Sequence, residues 1–215
     1  IAYSPHGSHG HRSHYKCPDS EDSLRAIAEA ELGSKLLWHR GEWQAEGHQR
    51  DMVYELAPDA DLIVVVDFDE VWHEDSLAAA IKQGLAMQAR NARVPFRHFW
   101  RSFSWVCTDL AQPVRIINPH HAGGNAEIDM PAPVEHFGYA RTPEAIIYKI
   151  AVHGHLGEWR YDWLPNKFLP WSPLTGPFED LHPTNVDFWT ARPFDKRALP
   201  ELMHEHPYWN MEIIA

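Results

Sequence analysis

The stretch Asp61–Trp72, with the sequence DLIVVVDFDEVW, decides how the rest of the chain is interpreted. It contains an unbroken run of five mostly β-branched apolar residues, which is typical of a strand buried on both faces of a largely parallel sheet. The run ends in Asp67, Asp69 and Glu70. Open α/β sheets bind their ligands where parallel strands end. We therefore predict a ligand site at these carboxylates.

Two carboxylates that lie one residue apart can both reach a hard divalent cation, which prefers oxygen ligands and is often shared with substrate phosphates. Asp67 and Asp69 are the candidate ligands. The pattern alone has low specificity, because Asp59-Ala60-Asp61 matches it too. That second match lies at the amino end of the predicted strand, where we expect no ligand. A solvated acidic turn is the alternative interpretation of Asp67 and Asp69.

Composition narrows the class of protein. A chain of 215 residues predicts one domain with a substantial core. The formal net charge of −11 argues against sequence-independent binding to nucleic acid and against attraction to anionic lipid. The ten tryptophans suit flat walls for sugars or bases, although core packing is the alternative for any of them. The candidates for such a platform are Trp100, Trp105, Trp159 and Trp163.

The cysteine content and the hydropathy of the sequence predict the cellular compartment of the protein. Cys17 and Cys107 are the two cysteines, and this low count favours a reducing compartment, hence the cytoplasm. A disulfide between them stays an alternative. No apolar segment of 18 residues is present, so we predict no membrane span. The chain begins without Met and on what resembles the end of a strand, so we expect further residues upstream of Ile1.

The first ninety residues predict alternating strands and helices, and this alternation predicts an α/β fold with a mostly parallel central sheet flanked by helices. Helices are predicted from Ser20 or Asp22 to Leu32, over Ala45–Leu56, from Asp75 or Ser76 to Arg90, and over Pro143–Val152. Strands are predicted at Ile1–Ser4, Lys35–His39, Leu62–Val66, Arg93–Trp105, Val114–Ile117 and Val134–Tyr139. We divide the single predicted domain into residues 1–92, residues 93–160 and a Trp/Pro-rich irregular C-terminal region, residues 161–215.

The order of these elements resembles the nucleotide-sugar-binding GT-A fold of family 2-like glycosyltransferases. Asp67-Phe68-Asp69-Glu70 is similar to the family's Asp-x-Asp-Glu motif, and Ala45–Asp51 is similar to the helix whose Arg contacts the nucleotide diphosphate. Val134–Arg141, Lys149 and His153-Gly154-His155 resemble a later strand-helix-His region. The resemblance covers roughly residues 1–160. It implies that the family's first strand and helix precede Ile1.

The resemblance also implies roles for individual residues. Asp69 would be the main ligand of a Mn²⁺ or Mg²⁺ ion, and Asp67 would bind the ribose, the metal or both. His136 or His155 would supply the late histidine ligand of this family. The candidate nucleotide contacts besides Asp67 are Arg50 and Ser4, the latter at the end of the first predicted strand.

An inverting transferase needs a base that takes the proton of the acceptor hydroxyl. Asp109, after the aromatic strand, is the first candidate, and Asp129 and Glu135 follow it. A clear form of the family's Glu-Asp base motif is absent from the sequence. The stereochemical outcome therefore stays open.

The expected function is transfer of a sugar from a nucleoside-diphosphate sugar to a glycan, protein or small-molecule acceptor. A haloacid-dehalogenase-like phosphatase is the first alternative, because its initial motif is also an apolar strand followed by Asp-x-Asp-x-Val, with Asp67 as nucleophile and Asp69 as acid. The second acidic cluster that those enzymes need is not found downstream. A non-catalytic carbohydrate-binding fragment with the same fold is the other alternative.

Overall fold

The computed structural model describes residues 1–4, 19–43, 46–108, 112–152 and 158–211. The chain forms two compact units, which are described separately below. The first comprises residues 1–59 and 144–159, and the second comprises residues 60–143 and 160–215. In the described ranges, no helix combines the length and the apolar character that crossing a membrane requires.

The first unit pairs two short strands and packs helices beside them. Strand β1 (Ala2–Tyr3) is parallel to β2 (His39–Arg40), and the helices are α1 (Glu21–Leu32), α2 (Glu46–Leu56) and α4 (Pro143–Val152). The Ser20 hydroxyl accepts the Ser23 amide at 3.1 Å and caps α1, and Gly33 adopts φ 52° where α1 ends. Both ends of α1 are therefore as predicted.

Among its described residues, the second unit contains two sheets and one long helix, α3 (Glu74–Ala86). The strands are β3 Ile63–Val64, β4 Glu70–Val71, β5 Asn91–Arg93, β6 Phe96–Trp100, β7 Ser102–Thr108, β8 Val114–Ile117, β9 Asn125–Glu127, β10 Val134–Tyr139 and β11 Thr190–Pro193. One sheet has the strand order β11-β7-β6-β10-β4, and the other has the order β3-β8-β5-β9.

The α/β class is confirmed, but the prediction of a mostly parallel sheet is wrong. Both sheets are mixed: β10 runs parallel to β6 and β9 parallel to β5, whereas the other pairs in these sheets are antiparallel. The reason is partly local, because Arg101 takes φ 60° and folds β6 and β7 into a hairpin. Strands that a tight turn joins are antiparallel.

The apolar run that opened the sequence analysis is also less regular than predicted. Only Ile63–Val64 forms a strand, β3, which pairs antiparallel with β8 at one edge of its sheet. Ile63 is buried, whereas 56% of Val66 is exposed. The acidic residues therefore follow a short antiparallel edge strand, and the expected position at the end of a central parallel strand is wrong.

The C-terminal region of the second unit has little regular secondary structure in the described residues. It contributes buried aromatic side chains to the core. Short helical turns occupy Leu164–Phe168, Lys196–Ala198 and Glu201–Glu205. Trp163 and Trp171 are fully buried and pack edge-on against Trp100, which is also fully buried. Trp100 and Trp163 are thus core residues and are not available as a platform for a ligand.

Candidate functional site

The acidic turn (Asp67–Glu70) places three carboxylates in three different environments. The Glu70 amide donates to the Asp67 carbonyl at 3.0 Å and closes the turn. The Asp67 side chain is 40% exposed, that of Asp69 is 16% exposed, and that of Glu70 is fully buried. Side chains only one to three residues apart therefore face different surroundings.

Arg115, on strand β8, holds two of these carboxylates. Its Nε donates to both carboxylate oxygens of Glu70 at 2.9 and 3.1 Å, and its Nη2 donates to Asp67 Oδ2 at 2.8 Å. The guanidinium also lies 4.9 Å from the centre of the Phe96 ring. Burial raises the pKa of Glu70 to about 7, although the hydrogen bonds from Arg115 oppose the shift. Glu70 and Arg115 form a buried ion pair that anchors the turn.

This arrangement bears on the phosphatase alternative. A phosphoryl-accepting aspartate must present a carboxylate oxygen to phosphorus. Asp67 Oδ2 accepts a charge-assisted hydrogen bond from Arg115 instead, and such bonds are strong ones. The described geometry therefore gives that alternative no specific support.

Asp69 points to a different group of residues from Asp67. Its Oδ1 lies 3.6 Å from His136 Nε2, and its Oδ2 lies 3.6 Å from Arg141 Nη2. Backbone pairing between β4 and β10 brings Asp69 close to His136. The Phe137 amide donates to the Asp69 carbonyl at 2.7 Å, and His136 lies opposite Glu70 in the β4–β10 pair. The structure thus brings together Asp69 and His136, which the resemblance proposed as ligands of one metal.

His98 on β6 contacts the other ring nitrogen of His136. The two Nδ1 atoms lie 2.8 Å apart, so one of the rings carries a proton on Nδ1 and donates it to the other. The His98 ring also packs against Trp189, with 4.7 Å between ring centres. These contacts fix the orientation of His136 so that its Nε2 faces Asp69. A hydrogen-bonded second nitrogen is the usual arrangement around a metal-binding histidine.

Tyr139 follows on the same strand and is a poor candidate for proton transfer. Burial, with smaller contributions from Asp69 and Cys107, raises the pKa of Tyr139 above its usual value near 10. The phenol is therefore neutral throughout the physiological range.

Asp69 also lines a cleft of about 550 Å³. Arg141 and His206 also line it, and Tyr208 adds a phenolic hydroxyl. Aromatic side chains supply much of the remaining surface, namely Phe68, Phe103, Phe137 and Tyr208. A pocket of this size and mostly apolar lining, with a few polar groups, has the properties of a small-molecule site.

The residues around Asp69 fit a divalent cation only in part. Asp69 and His136 offer one carboxylate oxygen and one imidazole nitrogen, both common ligands of Mn²⁺. Within the described ranges, no group of three or more His, Cys, Asp or Glu side chains is arranged to hold a metal ion. Mg²⁺-type sites often take only one or two ligands from the protein and the rest from phosphate and water. The pair therefore fits a metal that arrives with a diphosphate.

The remaining predicted residues are distributed as follows. Ser4 and Arg50 belong to the first unit, where Ser4 follows β1 and Arg50 lies on α2 and is half-buried. Asp67, Asp69 and His136 belong to the second unit. Asp109 and His155 lie outside the described residues, as does Cys17.

Glu135, the third candidate base, is engaged in a separate cluster. Its side chain is fully buried, and its Oε1 lies 3.0 Å both from His73 Nε2 and from Arg97 Nη1. Burial raises the pKa of Glu135, and the charge of Arg97 opposes the shift. A carboxylate buried in this way has no surface on which an acceptor hydroxyl could approach. Asp129 is exposed on the surface and is not among the residues of the cleft.

Several residues of the site escaped the sequence interpretation, and two of them left a signal. Arg115 is a charged residue inside the short apolar strand Val114–Ile117, and this predicts a buried acidic partner. His98 lies in the segment Arg93–Trp105, whose partial alternation of polar and apolar residues predicts a strand with one face towards water. Nothing in the sequence indicated that the segment 202–208 would form one side of the cleft.

Comparisons with family models, with curated proteins and with solved structures find no match to this chain. A functional assignment must therefore be carried by the residues and the geometry described above.

Proposed function

We propose that the chain is a GT-A-like, metal-dependent glycosyltransferase that moves a sugar from a nucleoside-diphosphate sugar to an acceptor hydroxyl. The observation that supports this best is the convergence of Asp69 Oδ1 and His136 Nε2, which are 3.6 Å apart beside a cleft of about 550 Å³. The pair belongs to the Asp-x-Asp-Glu motif and to the later strand that the family resemblance singled out. A cytoplasmic location stays a prediction.

In this proposal Asp69 and His136 would hold a Mn²⁺ or Mg²⁺ ion. A bound divalent cation neutralises the charge that develops on a departing diphosphate. Arg141, which lies 3.6 Å from Asp69, would bind phosphate oxygens through its guanidinium, whose fork of donors matches that geometry. Asp67 Oδ2 accepts a hydrogen bond from Arg115, so Asp69 would be the main metal ligand, and Asp67 would bind the ribose, the metal or both.

The transfer itself makes and breaks one bond at the same carbon. The acceptor oxygen forms a bond to the anomeric carbon while the bond from that carbon to the diphosphate breaks and its electron pair leaves with the nucleotide. The acceptor hydroxyl proton is released, finally to solvent. The chain's task is to orient the two substrates and to keep water from the anomeric carbon.

Calorimetric titration of the chain with UDP and GDP, each with Mn²⁺ or with EDTA, tests this proposal. We expect nucleotide binding that needs Mn²⁺ and that falls at least tenfold in Asp69→Asn. Asp59→Asn is the matched control, because Asp59 belongs to the exposed second Asp-x-Asp match and should leave binding unchanged. Binding that is absent, or that is insensitive to both Mn²⁺ and Asp69→Asn, would contradict a metal-dependent transferase.

His98 provides a second test through His136. Phenylalanine at position 98 keeps a ring beside Trp189 but removes the nitrogen that contacts His136. We expect His98→Phe to weaken Mn²⁺-dependent UDP binding by about tenfold, in keeping with the loss of a residue that orients a metal ligand. Because nucleotide binding is expected to need Mn²⁺, the fold is checked separately by urea denaturation. The free energy of unfolding of His98→Phe should lie within about 1.5 kcal/mol of that of the native chain, the value of one hydrogen bond, and a larger loss would mean that the variant acts through the fold.

A further inference from the structure

The cleft beside Asp69 is largely apolar, and this bears on what it binds. In the described ranges its polar side chains are those of Asp69, Arg141, His206 and Tyr208. Its apolar lining includes Leu202, Met203, Pro207, Phe103 and Phe137. The polar groups are close to one another, because Arg141 lies 3.6 Å from Asp69 and its charge acts on His206.

Two of the side chains that line the cleft are strongly exposed. Phe68 is 88% exposed in the acidic turn, and Leu202 is 67% exposed on the 3₁₀ turn Glu201–Glu205. Large apolar side chains that line a concave surface and remain in contact with water gain free energy when a ligand covers them. The rim of the cleft therefore favours an apolar ligand.

His206 acts as a hydrogen-bond donor in the cleft. Its Nδ1 accepts the Tyr208 amide at 3.0 Å, so the neutral ring carries its proton on Nε2. Burial, with a smaller effect of Arg141, lowers the pKa of His206, and this favours the neutral ring. His206 Nε2–H can thus donate to a ligand oxygen in the cleft.

We propose that this cleft is the acceptor subsite and that it takes a small molecule with an apolar ring system and a hydroxyl group. The inference rests on the proposed transferase function. An oligosaccharide carries hydroxyl groups on every side, and a buried hydroxyl without a partner is costly. The four polar side chains of the cleft can satisfy a few ligand oxygens, but not all the hydroxyls of a chain of sugars.

The positions of the polar and apolar side chains of the cleft determine how the acceptor would be oriented. The hydroxyl would lie near Asp69, Arg141 and His206, and the rings would lie between Phe68 and Leu202. The hydroxyl oxygen would then bond to the anomeric carbon of the donor sugar, the nucleotide would leave with the electron pair of the broken bond, and the hydroxyl proton would be released to solvent.

Titration calorimetry with 2-naphthol and with maltotriose tests the inference on the intact chain. We expect 2-naphthol to bind at least tenfold more tightly than maltotriose. Leu202→Asp should weaken 2-naphthol binding at least tenfold, because it places a charge at the apolar rim. Leu174→Asp is the matched control, since Leu174 is 92% exposed and does not line the cleft, and it should have no effect.

Measurement of UDP binding distinguishes a failure of the acceptor proposal from a failure of the proposed transferase function. Leu202→Asp should leave Mn²⁺-dependent UDP binding unchanged. Tighter binding of maltotriose than of 2-naphthol, no binding of 2-naphthol at all, or an equal response to Leu202→Asp and Leu174→Asp would overturn the apolar acceptor while UDP binding still upheld the transferase. Loss of UDP binding in the native chain would overturn the transferase, and the acceptor role with it.

Discussion

The buried ion pair between Arg115 and Glu70 allows a quantitative test of how the acidic turn is held. The Arg115 side chain is 7% exposed and that of Glu70 is fully buried. Replacing Arg115 by Met keeps much of the aliphatic volume but leaves the Glu70 carboxylate buried without its cation. Removing one partner of a buried ion pair costs about 3–5 kcal/mol. We expect this decrease in the free energy of unfolding at pH 9, measured by urea denaturation.

The pH dependence distinguishes charge from packing. Because burial raises the pKa of Glu70 from its usual 4.5 to about 7, the native state binds this proton more tightly than the unfolded chain does. The contribution of Glu70 to the free energy of unfolding therefore falls as the pH rises from about 4.5 to about 7. Since Arg115 lowers the pKa of Glu70, Arg115→Met should raise that pKa further and extend the fall to higher pH.

At pH 5, where Glu70 is protonated, Arg115→Met should cost only about 1.5–3 kcal/mol, because the main loss is then the hydrogen bond that Arg115 donates to the Asp67 carboxylate. Arg25→Met is the matched control, because Arg25 pairs with Glu29 on the exposed face of α1 and should cost about 0.3–0.5 kcal/mol. A loss for Arg115→Met that is the same at pH 5 and pH 9 would refute the reasoning and would assign the effect to packing.

Two further predictions concern stability. Gly84→Ala should lower the free energy of unfolding, measured by urea denaturation, by about 1–3 kcal/mol, because a Cβ at this position would meet Ile116 Cγ2 at 2.7 Å. Gly47→Ala on α2 should raise the free energy of unfolding by up to about 1 kcal/mol, because the space around Gly47 is open. A change of the same sign for both variants would contradict the packing argument. Asp180 accepts from Arg160 at 2.6 and 2.9 Å, and these bonds hold the pKa of Asp180 well below its usual range. Asp180→Asn should therefore cost about 2 kcal/mol at pH 7, and the difference should begin to shrink as the pH falls below about 4. A difference that does not decrease between pH 4 and pH 2 would rule out the ion pair as its cause.

Local elements were predictable because short-range signals specify them. The serine before α1 and the glycine after it gave both ends of that helix, and the predicted bounds of Val114–Ile117, Val134–Tyr139 and Pro143–Val152 match the structure. The start of α3 was missed: His73 precedes the helix and no side chain caps it, so the Asp75 and Ser76 signals were misleading.

The direction of strand pairing was not predictable from the same signals. An apolar run such as Leu62–Val66 shows that a segment is suited to a strand, but the partner and its direction depend on residues far along the chain. The partner of β3 is β8, about fifty residues later, and the pairing is antiparallel. For the same reason the sequence indicated Asp69 and His136 separately, while the contact that joins them required the β4–β10 pairing.

In the acidic turn, hydrogen bonds hold Asp67, Asp69 and Glu70 in place, whereas the side chain of Phe68 is exposed. Arg115 holds Asp67 and Glu70, and the Phe137 amide holds the Asp69 carbonyl, while the side chain of Phe68 between them is almost wholly in water. For directed evolution, this makes position 68 a place where a saturation library can alter ligand preference with little loss of folded variants. The same library at position 67 or 70 would be expected to yield few folded members.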